Sequence, residues 1–366
     1  MKVSFTNLKH QADEIAAELD SAFHRVKSSG NYILGEEVHF FEEEWANFCN
    51  ARHAVGVASG SDALFLAAKA IGIQEGDEVI VPSHTYIGTW MALSRAGAKI
   101  IPIEPEEKTY NLNVEFLREL ITKKTKAIVV VHLYGQPADL DPVLQIAKEK
   151  RLMVLEDAAQ AHGARYRCNK IGAHGDVVAW SFYPTKNLGA LGDAGAVTTN
   201  SPEIAKSINY LRNIGSCERD KHVSLGYNSR LDPIQAAILR AKLKYLDNWN
   251  EKRRQHAKLY RKTLNKQQFI APFVPDWADP VWHHYVIRCK RRDALHKFLA
   301  KHDIATLIHY PLPPHRQLAY AFMNVPQHQY KLTEKICSEI LSLPIGPHVN
   351  SDQISYVVDI MNEFSN

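Results

Sequence analysis

Short apolar segments alternate with helical segments between residues 54 and 199, and this alternation constrains the fold more than any other feature of the chain. Seven apolar segments have the length and texture of buried strands: Ala54–Ala58, Glu78–Val81, Ile100–Glu104, Ala127–His132, Leu152–Glu156, Val177–Phe182 and Ala196–Thr199. Helices are predicted between and after them at Asp62–Ile71, Ile87–Ala96, Val114–Leu120, Pro142–Lys150 and Pro202–Ile214. Because strands that alternate with helices pair mostly in parallel, the sequence predicts an α/β fold with a mostly parallel seven-stranded sheet, covered on both faces.

The chain divides into three predicted parts. These are an N-terminal helical segment over residues 1–50, a large domain over residues 51–245 and a smaller C-terminal domain over residues 246–366. The first part holds two predicted helices, Ala12–Val26 and Val38–Cys49. Helical spacing from Leu231 to Leu264 predicts one long helix, or two linked ones, leading out of the large domain. After Pro272, frequent prolines interrupt short strands and helices, which is typical of an α+β domain.

Composition and charge exclude several classes of protein. The net charge is +4 and the basic residues form no stripe, so we expect no nucleic acid partner. No apolar run reaches the ~18 residues of a membrane span, and Met1–Asn7 has no signal-peptide core, so we expect a cytoplasmic protein with no membrane partner. The five cysteines lie far apart, which favours a reducing compartment. The 18 histidines, with His283–His284 the only adjacent pair, form no metal-binding motif, and we expect most of them at the surface or satisfied in the core.

Polar residues follow several predicted strands, at the edge where an α/β sheet binds its ligands. Gly60 and Ser61 lie between a strand and a helix, where free backbone amides bind phosphate; capping of the helix by Ser61 or Asp62 is the alternative. Tyr86 follows the next strand and has the flat ring needed to stack on a planar ligand, with a core tyrosine as the alternative.

Two further residues at this edge have reactive groups. Asp157 follows the strand Leu152–Glu156, and small residues after it leave room for a ligand. Its carboxylate is suited to hold a pyridinium nitrogen protonated, while a cap for the next segment is the alternative. Lys186 lies in a loop of apolar and glycine residues after the strand Val177–Phe182, which contains Ser181. Burial there favours the neutral amine that forms Schiff bases, and exposure to water is the alternative. Together these features are the parts that a pyridoxal phosphate enzyme needs.

Four longer motifs resemble those of a known family. They are Gly76–Pro82, Val131–Gly135, Glu156–Gly163 and Gly226–Asp232. Over nearly its whole length the chain resembles the sugar aminotransferases of the DegT/DnrJ/EryC1/StrS family. The resemblance implies the aspartate aminotransferase-like fold (fold type I), with the cofactor bound by the large domain. It also implies pyridoxal 5′-phosphate as the cofactor, which carries the amino group as pyridoxamine phosphate between two half-reactions.

The resemblance implies a role for individual residues. Lys186 binds the cofactor covalently and moves the proton, Asp157 pairs with the ring nitrogen, and Gln160 contacts the ring hydroxyl. Tyr86 stacks on the ring. The residues that hold the phosphate are Gly60, Ser61 and Ser181. Asn228 is similar to a residue that reaches the phosphate of the neighbouring subunit, so the resemblance implies a homodimer with shared active sites.

Two positions indicate a branch of the family. Members that act at the sugar C4 position often carry a histidine two residues after the serine of the lysine motif, and Glu-Gly-Gly further on. This chain has Tyr183 and Asp193–Gly195 at those places. It therefore resembles the branch that aminates C3 of dTDP-linked 3-keto-6-deoxyhexoses, with L-glutamate as donor, for amino sugars of O-antigens, S-layer glycans or antibiotics. A 4-keto nucleotide-sugar aminotransferase is the alternative.

Substrate contacts are expected from two more segments. A nucleotide sugar carries a diphosphate, which needs cations at the mouth of the site, and the loop Ser216–His222 offers Arg219 and Lys221. A solvated surface turn is the alternative for this loop. The segment His309–Gln317 resembles the substrate side of the family's site. The residues expected to contact the hexose or its neighbouring phosphate are Tyr183, His309 and Tyr310.

Three other functions are weaker alternatives. Tyr183 and Lys186 are spaced as Y-x-x-K, whereas a short-chain reductase has Y-x-x-x-K and a glycine fingerprint that this chain lacks. Sugar dehydratases on the same fold carry a histidine in place of Lys186. A non-catalytic protein that binds pyridoxal phosphate is disfavoured because Lys186, Asp157 and Gln160 are all present.

Overall fold

The structure, a computed structural model, describes residues 1–364. Its strands are β1 (His53–Val57), β2 (Glu78–Pro82), β3 (Lys99–Ile103), β4 (Thr125–Val131), β5 (Met153–Asp157), β6 (Arg165–Tyr166), β7 (Asn169–Lys170), β8 (Val177–Ser181), β9 (Gly195–Thr199), β10 (Ser216–Glu218), β11 (Lys221–His222), β12 (Ala278–Asp279), β13 (Tyr285–Arg288) and β14 (Ile340–Leu343). Its α-helices are α1 (Leu8–Glu14), α2 (Ala16–Ser29), α3 (Glu36–Phe48), α4 (Gly60–Ala70), α5 (Ile87–Arg95), α6 (Leu117–Leu120), α7 (Leu140–Lys150), α8 (Pro202–Arg212), α9 (Pro233–Leu243), α10 (Leu246–Thr263), α11 (Arg292–Lys301), α12 (Lys331–Glu339) and α13 (Ser351–Glu363). Short 3-10 segments lie at Val114–Phe116, Leu133–Gly135, Pro314–Arg316 and Leu318–Met323.

Seven strands form one sheet in the order β1-β9-β8-β5-β4-β2-β3. Neighbours from β8 to β3 pair in parallel, whereas β9 runs antiparallel to both β8 and β1. The predicted α/β fold with a mostly parallel seven-stranded sheet is confirmed. Parallel pairing brings the carboxyl ends of neighbouring strands together: Asp157 of β5 lies beside Val131 of β4 and Ala179 of β8. Polar residues that follow these strands are therefore brought to one edge.

Helices cover both faces of the sheet because successive strand residues point to opposite sides. Ile80 belongs to the core on one face, where α3, α7 and α9 pack. Val79 and Val81 belong to the core on the other face, where α4, α5 and α8 pack. Trp45 of α3 and Trp90 of α5 are fully buried, one in each core.

The last third of the chain builds a further apolar core. There α10, α11 and α13 pack around the antiparallel pair β13 and β14. The start of the chain joins this core, because the buried Val3 pairs with Ile304 through a β-bridge. Residues 5–8 then lead from this core to the edge of the large sheet, where they line a cavity.

Two stretches of predicted helix are divided. The predicted helix Ala12–Val26 is α1 and α2, which meet at Ile15, where φ is −130°. Ile15 is fully buried beside α9, so tertiary packing overrides the continuous helical pattern. The helical spacing from Leu231 to Leu264 is α9 and α10, which is the second of the two alternatives. Tyr245 lies between these helices and its hydroxyl donates to Glu18 Oε1 at 2.5 Å.

Two features are absent from residues 1–364. No helix there is long and apolar enough to cross a membrane. No group of His, Cys, Asp and Glu side chains in the same residues is arranged to hold a metal ion.

Candidate active site

A cavity of about 580 Å³ opens beyond the carboxyl ends of β2, β4, β5 and β8, where sheets of this class bind their ligands. Its wall is completed by residues 5–8 and by the C-terminal part of the chain. Ten of the predicted site residues line it: Gly60, Ser61, Tyr86, Asp157, Gln160, Ser181, Tyr183, Lys186, His309 and Tyr310. The other three, Arg219, Lys221 and Asn228, do not belong to the described wall of this cavity.

Lys186 lies half-buried in a loop that folds back after β8. Its backbone amide donates to Tyr183 O at 2.8 Å. The next side chain, Asn187, donates to Asn250 Oδ1 at 2.8 Å and to Val281 O at 2.9 Å. These bonds hold the backbone on both sides of the lysine while its side chain lines the cavity. Burial lowers the pKa of Lys186 to about 8, so a neutral amine is available near physiological pH as a nucleophile or base.

Asp157 ends β5 with its carboxylate buried. Thr89 Oγ1 donates to Oδ2 at 2.7 Å, and the amide of Ala159 donates to Oδ1 at 3.1 Å. Burial raises the pKa of Asp157 in spite of these two donors and the positive charge of Lys186. A cationic ring nitrogen on the cavity side is the kind of partner that stabilises the ionised form of such a carboxylate.

The start of α4 and the end of β8 form a cradle that is suited to phosphate. A Cβ at Gly60 would lie only 2.4 Å from Ser181 Cβ, so this close approach requires glycine. Ser59 caps the helix by accepting from the amide of Asp62 at 3.1 Å, which means that capping by Ser61 or Asp62 is wrong. Ser61 is exposed to the cavity instead. A helix start flanked by the hydroxyls of Ser61 and Ser181 offers the donors that a phosphate needs.

Aromatic and amide side chains form a further part of the wall. Tyr86 is 54% exposed, so the alternative of a core tyrosine is wrong. Its ring centroid lies 5.4 Å from that of Tyr310, with 40° between the ring planes. Gln160 Oε1 accepts from the amide of Tyr134 at 2.6 Å, so its Nε2 is the donor, and it lies 3.1 Å from Tyr310 OH. Gln160 therefore presents an N–H donor of the kind that a ring hydroxyl needs.

Comparison with known proteins identifies the family. A sequence model of the DegT/DnrJ/EryC1/StrS aminotransferase family matches residues 13–362. The chain belongs to this family. It is 47% identical over 100% of its length to a dTDP-3-amino-3,4,6-trideoxy-alpha-D-glucose transaminase of Streptomyces venezuelae, of which it covers 96%. It is 46% identical to a dTDP-3-amino-3,6-dideoxy-alpha-D-galactopyranose transaminase of Aneurinibacillus thermoaerophilus over 99% of both chains. The crystal structure of DesV from S. venezuelae superposes with a TM-score of 0.98 over 100% of both chains, at 46% identity.

This aminotransferase is therefore a pyridoxal phosphate enzyme of fold type I, and the predictions of family, cofactor and type of activity are confirmed. The cavity fits the cofactor. The start of α4, with the hydroxyls beside it, suits the phosphate group. The buried carboxylate of Asp157 suits the ring nitrogen, and the amine of Lys186, with its lowered pKa, suits covalent attachment. The roles assigned to individual residues stay predictions.

Sequence reasoning missed several residues of the aminotransferase site. Thr89 gives no signal of its own, and only its place in the helix that follows Tyr86 hints at a role. His283 and His284 are buried in the cavity wall. His283 Nδ1 lies 3.2 Å from Asn187 Oδ1, whereas Nδ1 of His284 has no hydrogen-bond partner among the described residues, so His284 is an exception to the expectation that most histidines lie at the surface or are satisfied in the core. The His284 ring stacks on that of His309 at 3.8 Å, and burial lowers the pKa of His283 and His284 well below the usual value. Their position as the only adjacent histidine pair was the available signal.

Three predicted residues lie away from this cavity. Arg219 and Lys221 belong to the hairpin of β10 and β11, with 96% and 63% of their side chains exposed. Asn228 is exposed as well. Within one chain, the hairpin is therefore a solvated surface turn, which was the alternative to a loop that binds the diphosphate. A contact of these residues with the site of a second chain stays a prediction.

Proposed function

We propose that this aminotransferase transfers the amino group of L-glutamate to C3 of a dTDP-linked 3-keto-6-deoxyhexose. The observation that carries the proposal is the identity of 47% and 46%, over nearly whole chains, to two transaminases whose names specify dTDP-3-amino sugars. Tyr183 and Asp193 line the cavity at the positions where members acting at C4 often carry histidine and glutamate, which supports C3 as the site of amination.

The side chains of the cavity support this chemistry. When bound, pyridoxal phosphate supplies an electron sink for the carbanion at the α-carbon of the donor. The Asp157 carboxylate holds the ring nitrogen protonated. Lys186 Nζ, as a neutral amine, takes the α-proton of glutamate and later delivers a proton to C3 of the sugar. Its lowered pKa of about 8 suits this role, because a base poised near the working pH exchanges protons in both directions.

We also propose a homodimer in which each site is completed by the partner chain. The hydroxyl of Ser229 donates to Asp62 Oδ2 at 2.8 Å, which holds the segment beside α4, while the preceding Asn228 stays exposed. Leu225 is 93% exposed, and Ile214 and Val223 are also exposed apolar residues close by in the chain. Exposed apolar residues beside Asn228 suit a surface that a second copy of the chain covers.

An assay with two keto sugars tests the proposed activity. The purified holoenzyme is incubated with L-glutamate and either a dTDP-3-keto-6-deoxyhexose or a dTDP-4-keto-6-deoxyhexose, and the product is identified by NMR. We expect an amine at C3 and one 2-oxoglutarate formed for each amine. Preference for the 4-keto sugar would assign the chain to the C4 branch, and loss of a hydroxyl group without amine formation would indicate a dehydratase. The cytoplasmic location and the glycan or metabolite that receives the amino sugar stay predictions.

A further inference from the structure

Tyr134 lies at a turn that follows β4, behind the wall of the cavity. Its φ is 60°, in the left-handed region that a tyrosine rarely adopts. The backbone amide at this turn donates to Gln160 Oε1 at 2.6 Å. Because that oxygen is occupied, Nε2 of Gln160 is the group that meets the hydroxyl of Tyr310, at 3.1 Å. The turn therefore determines which end of the Gln160 amide is turned toward the C-terminal part of the chain.

The side chain of Tyr134 makes a second set of buried contacts. Its hydroxyl donates to the backbone oxygen of His309. The same hydroxyl oxygen lies 2.9 Å from His84 Nε2. The thiol of Cys337 lies 3.5 Å from His84 Nδ1, the other nitrogen of that ring. Tyr134, His84 and Cys337 are all buried, so each unused hydrogen or lone pair among them would cost stability.

The donors and acceptors of this set fit together in one way. Burial lowers the pKa of His84 to about 4, so its ring is neutral, and burial raises the pKa of Cys337 to about 12, so its thiol keeps its hydrogen. The hydroxyl of Tyr134 gives its hydrogen to His309 O and therefore accepts from His84 Nε2–H. His84 Nδ1 then accepts from the thiol of Cys337. The result is an unbroken run of hydrogen bonds from Cys337 to His309.

We propose that Tyr134 is a positioning residue that places His309 and Tyr310 for binding of the nucleotide sugar. Its backbone amide orients Gln160 toward Tyr310, and its hydroxyl holds the backbone of His309. The turn after β4 therefore fixes both His309 and Tyr310: the hydroxyl of Tyr134 holds the first directly, and its backbone amide holds the second through Gln160. The inference rests on the proposed function, because His309 and Tyr310 are the predicted contacts of the sugar there.

The variant Tyr134→Phe tests this role, because it removes the hydroxyl but keeps the ring and the amide that holds Gln160. We expect the KM for a dTDP-3-keto-6-deoxyhexose to rise roughly fivefold to tenfold, with the KM for glutamate changed by less than about twofold. The affinity for dTDP-glucose, an unreactive probe, is measured by calorimetry and should fall by a similar factor. The absorbance of the bound cofactor should stay unchanged.

Tyr260→Phe is the matched control. The Tyr260 hydroxyl is also buried, and it donates to Pro344 O at 2.9 Å; neither residue belongs to the described wall of the cavity. Both variants should lose thermal stability to a similar extent, but only Tyr134→Phe should raise the KM for the sugar and weaken the binding of dTDP-glucose. If the two variants bind the sugar equally well, the Tyr134 hydroxyl is a stability contact and the inference is overturned.

A second pair of variants covers the case in which Tyr134→Phe does not fold. Cys337→Ser keeps a donor toward His84, whereas Cys337→Ala removes it. The serine variant should bind dTDP-glucose like the parent enzyme, and the alanine variant should bind it more weakly. Equal affinities for these two variants would contradict the inference. Failure of the parent enzyme to aminate any nucleotide keto sugar would instead contradict the proposed function.

Discussion

At the scale of single residues, burial sets the chemistry of the site. Burial raises the pKa of Asp157, so the folded chain without cofactor binds the proton of this carboxyl group more tightly than the unfolded chain does. The ionised carboxylate therefore costs stability at pH values above the unfolded pKa of about 4, and the cost disappears as the pH falls below it. A cationic ring nitrogen would remove the cost, which couples cofactor binding to stability.

The variant Asp157→Asn should separate the stability lost by burying an ionised carboxylate from the role of that carboxylate in catalysis. The amide oxygen can accept from Ala159, and the amide NH2 can donate to Thr89 Oγ1, whose hydrogen then turns to Thr85 Oγ1 at 3.0 Å. The cofactor-free variant should therefore unfold at a higher temperature than the parent at pH 8, and the difference should vanish below about pH 4. Transamination should slow by orders of magnitude, because an amide cannot hold the ring nitrogen protonated. Calorimetry across this pH range and the rate of 2-oxoglutarate formation test both effects, and an unchanged rate would make Asp157 structural.

Which residues of the site can be predicted from the sequence depends on whether their signal is local. Lys186 and Asp157 stand out because their neighbours in the chain are apolar or small, which already indicates burial beside a ligand. Thr89 and Tyr134 give no such signal. Their roles come from contacts with residues 68 and 175 positions away in the chain, and only the folded structure brings these groups together.

At the scale of elements, strands are predicted better than helix ends. Each central strand is a short apolar run buried on both faces, as β2 is along its whole length, so composition alone locates it. Helix ends depend on tertiary contacts. The helix predicted from Asp62 begins at Gly60, because Ser59 supplies the cap. Residue 60 is glycine because Ser181 leaves no room for a side chain there.

Gly60→Ala tests this contact between the start of α4 and the end of β8. The new Cβ would lie 2.4 Å from Ser181 Cβ, so the two elements must move apart. We expect the variant to fold but to bind pyridoxal phosphate about tenfold more weakly, a loss of ~1.4 kcal/mol, measured from the absorbance retained after dialysis. Gly192→Ala is the control, because its Cβ would meet only the flexible side chain of Gln235. Equal retention of the cofactor by both variants would place the phosphate elsewhere.

At the scale of the whole molecule, the site joins distant parts of the chain. Phe5 and His309 line the same cavity, and Val3 pairs with Ile304, so the first residues belong structurally with the C-terminal core. No local pattern predicts this pairing. We propose that the boundary between the two domains lies within α10, after residue 246. The first turn of α10 still packs with the large domain through Leu246 and Trp249, whereas Ala257 and Tyr260 further along belong to the C-terminal core.

Lys186 and Asn228 are expected to act in one site from two different chains. Lys186 lines the cavity, whereas Asn228 lies exposed outside the described wall of the same cavity. Lys186→Ala should abolish turnover, because no other lysine belongs to the wall within residues 1–364. Asn228→Asp should also abolish it, because its carboxylate would repel the phosphate of the cofactor in the partner's site.

A mixed dimer, with one chain of each variant, shows whether Asn228 acts in the partner's site or in the site of its own chain. If Asn228 acts in the partner's site, one site of the mixed dimer contains both natural residues and the other contains neither. Roughly half of the parent activity per dimer should then return. If both residues act within one chain, each site carries one defect and no activity returns. The two chains are given different affinity tags, co-expressed and purified over both columns, with each variant homodimer as an inactive control. Sedimentation must show a dimer, and an inactive mixed dimer of the correct mass would contradict the shared site.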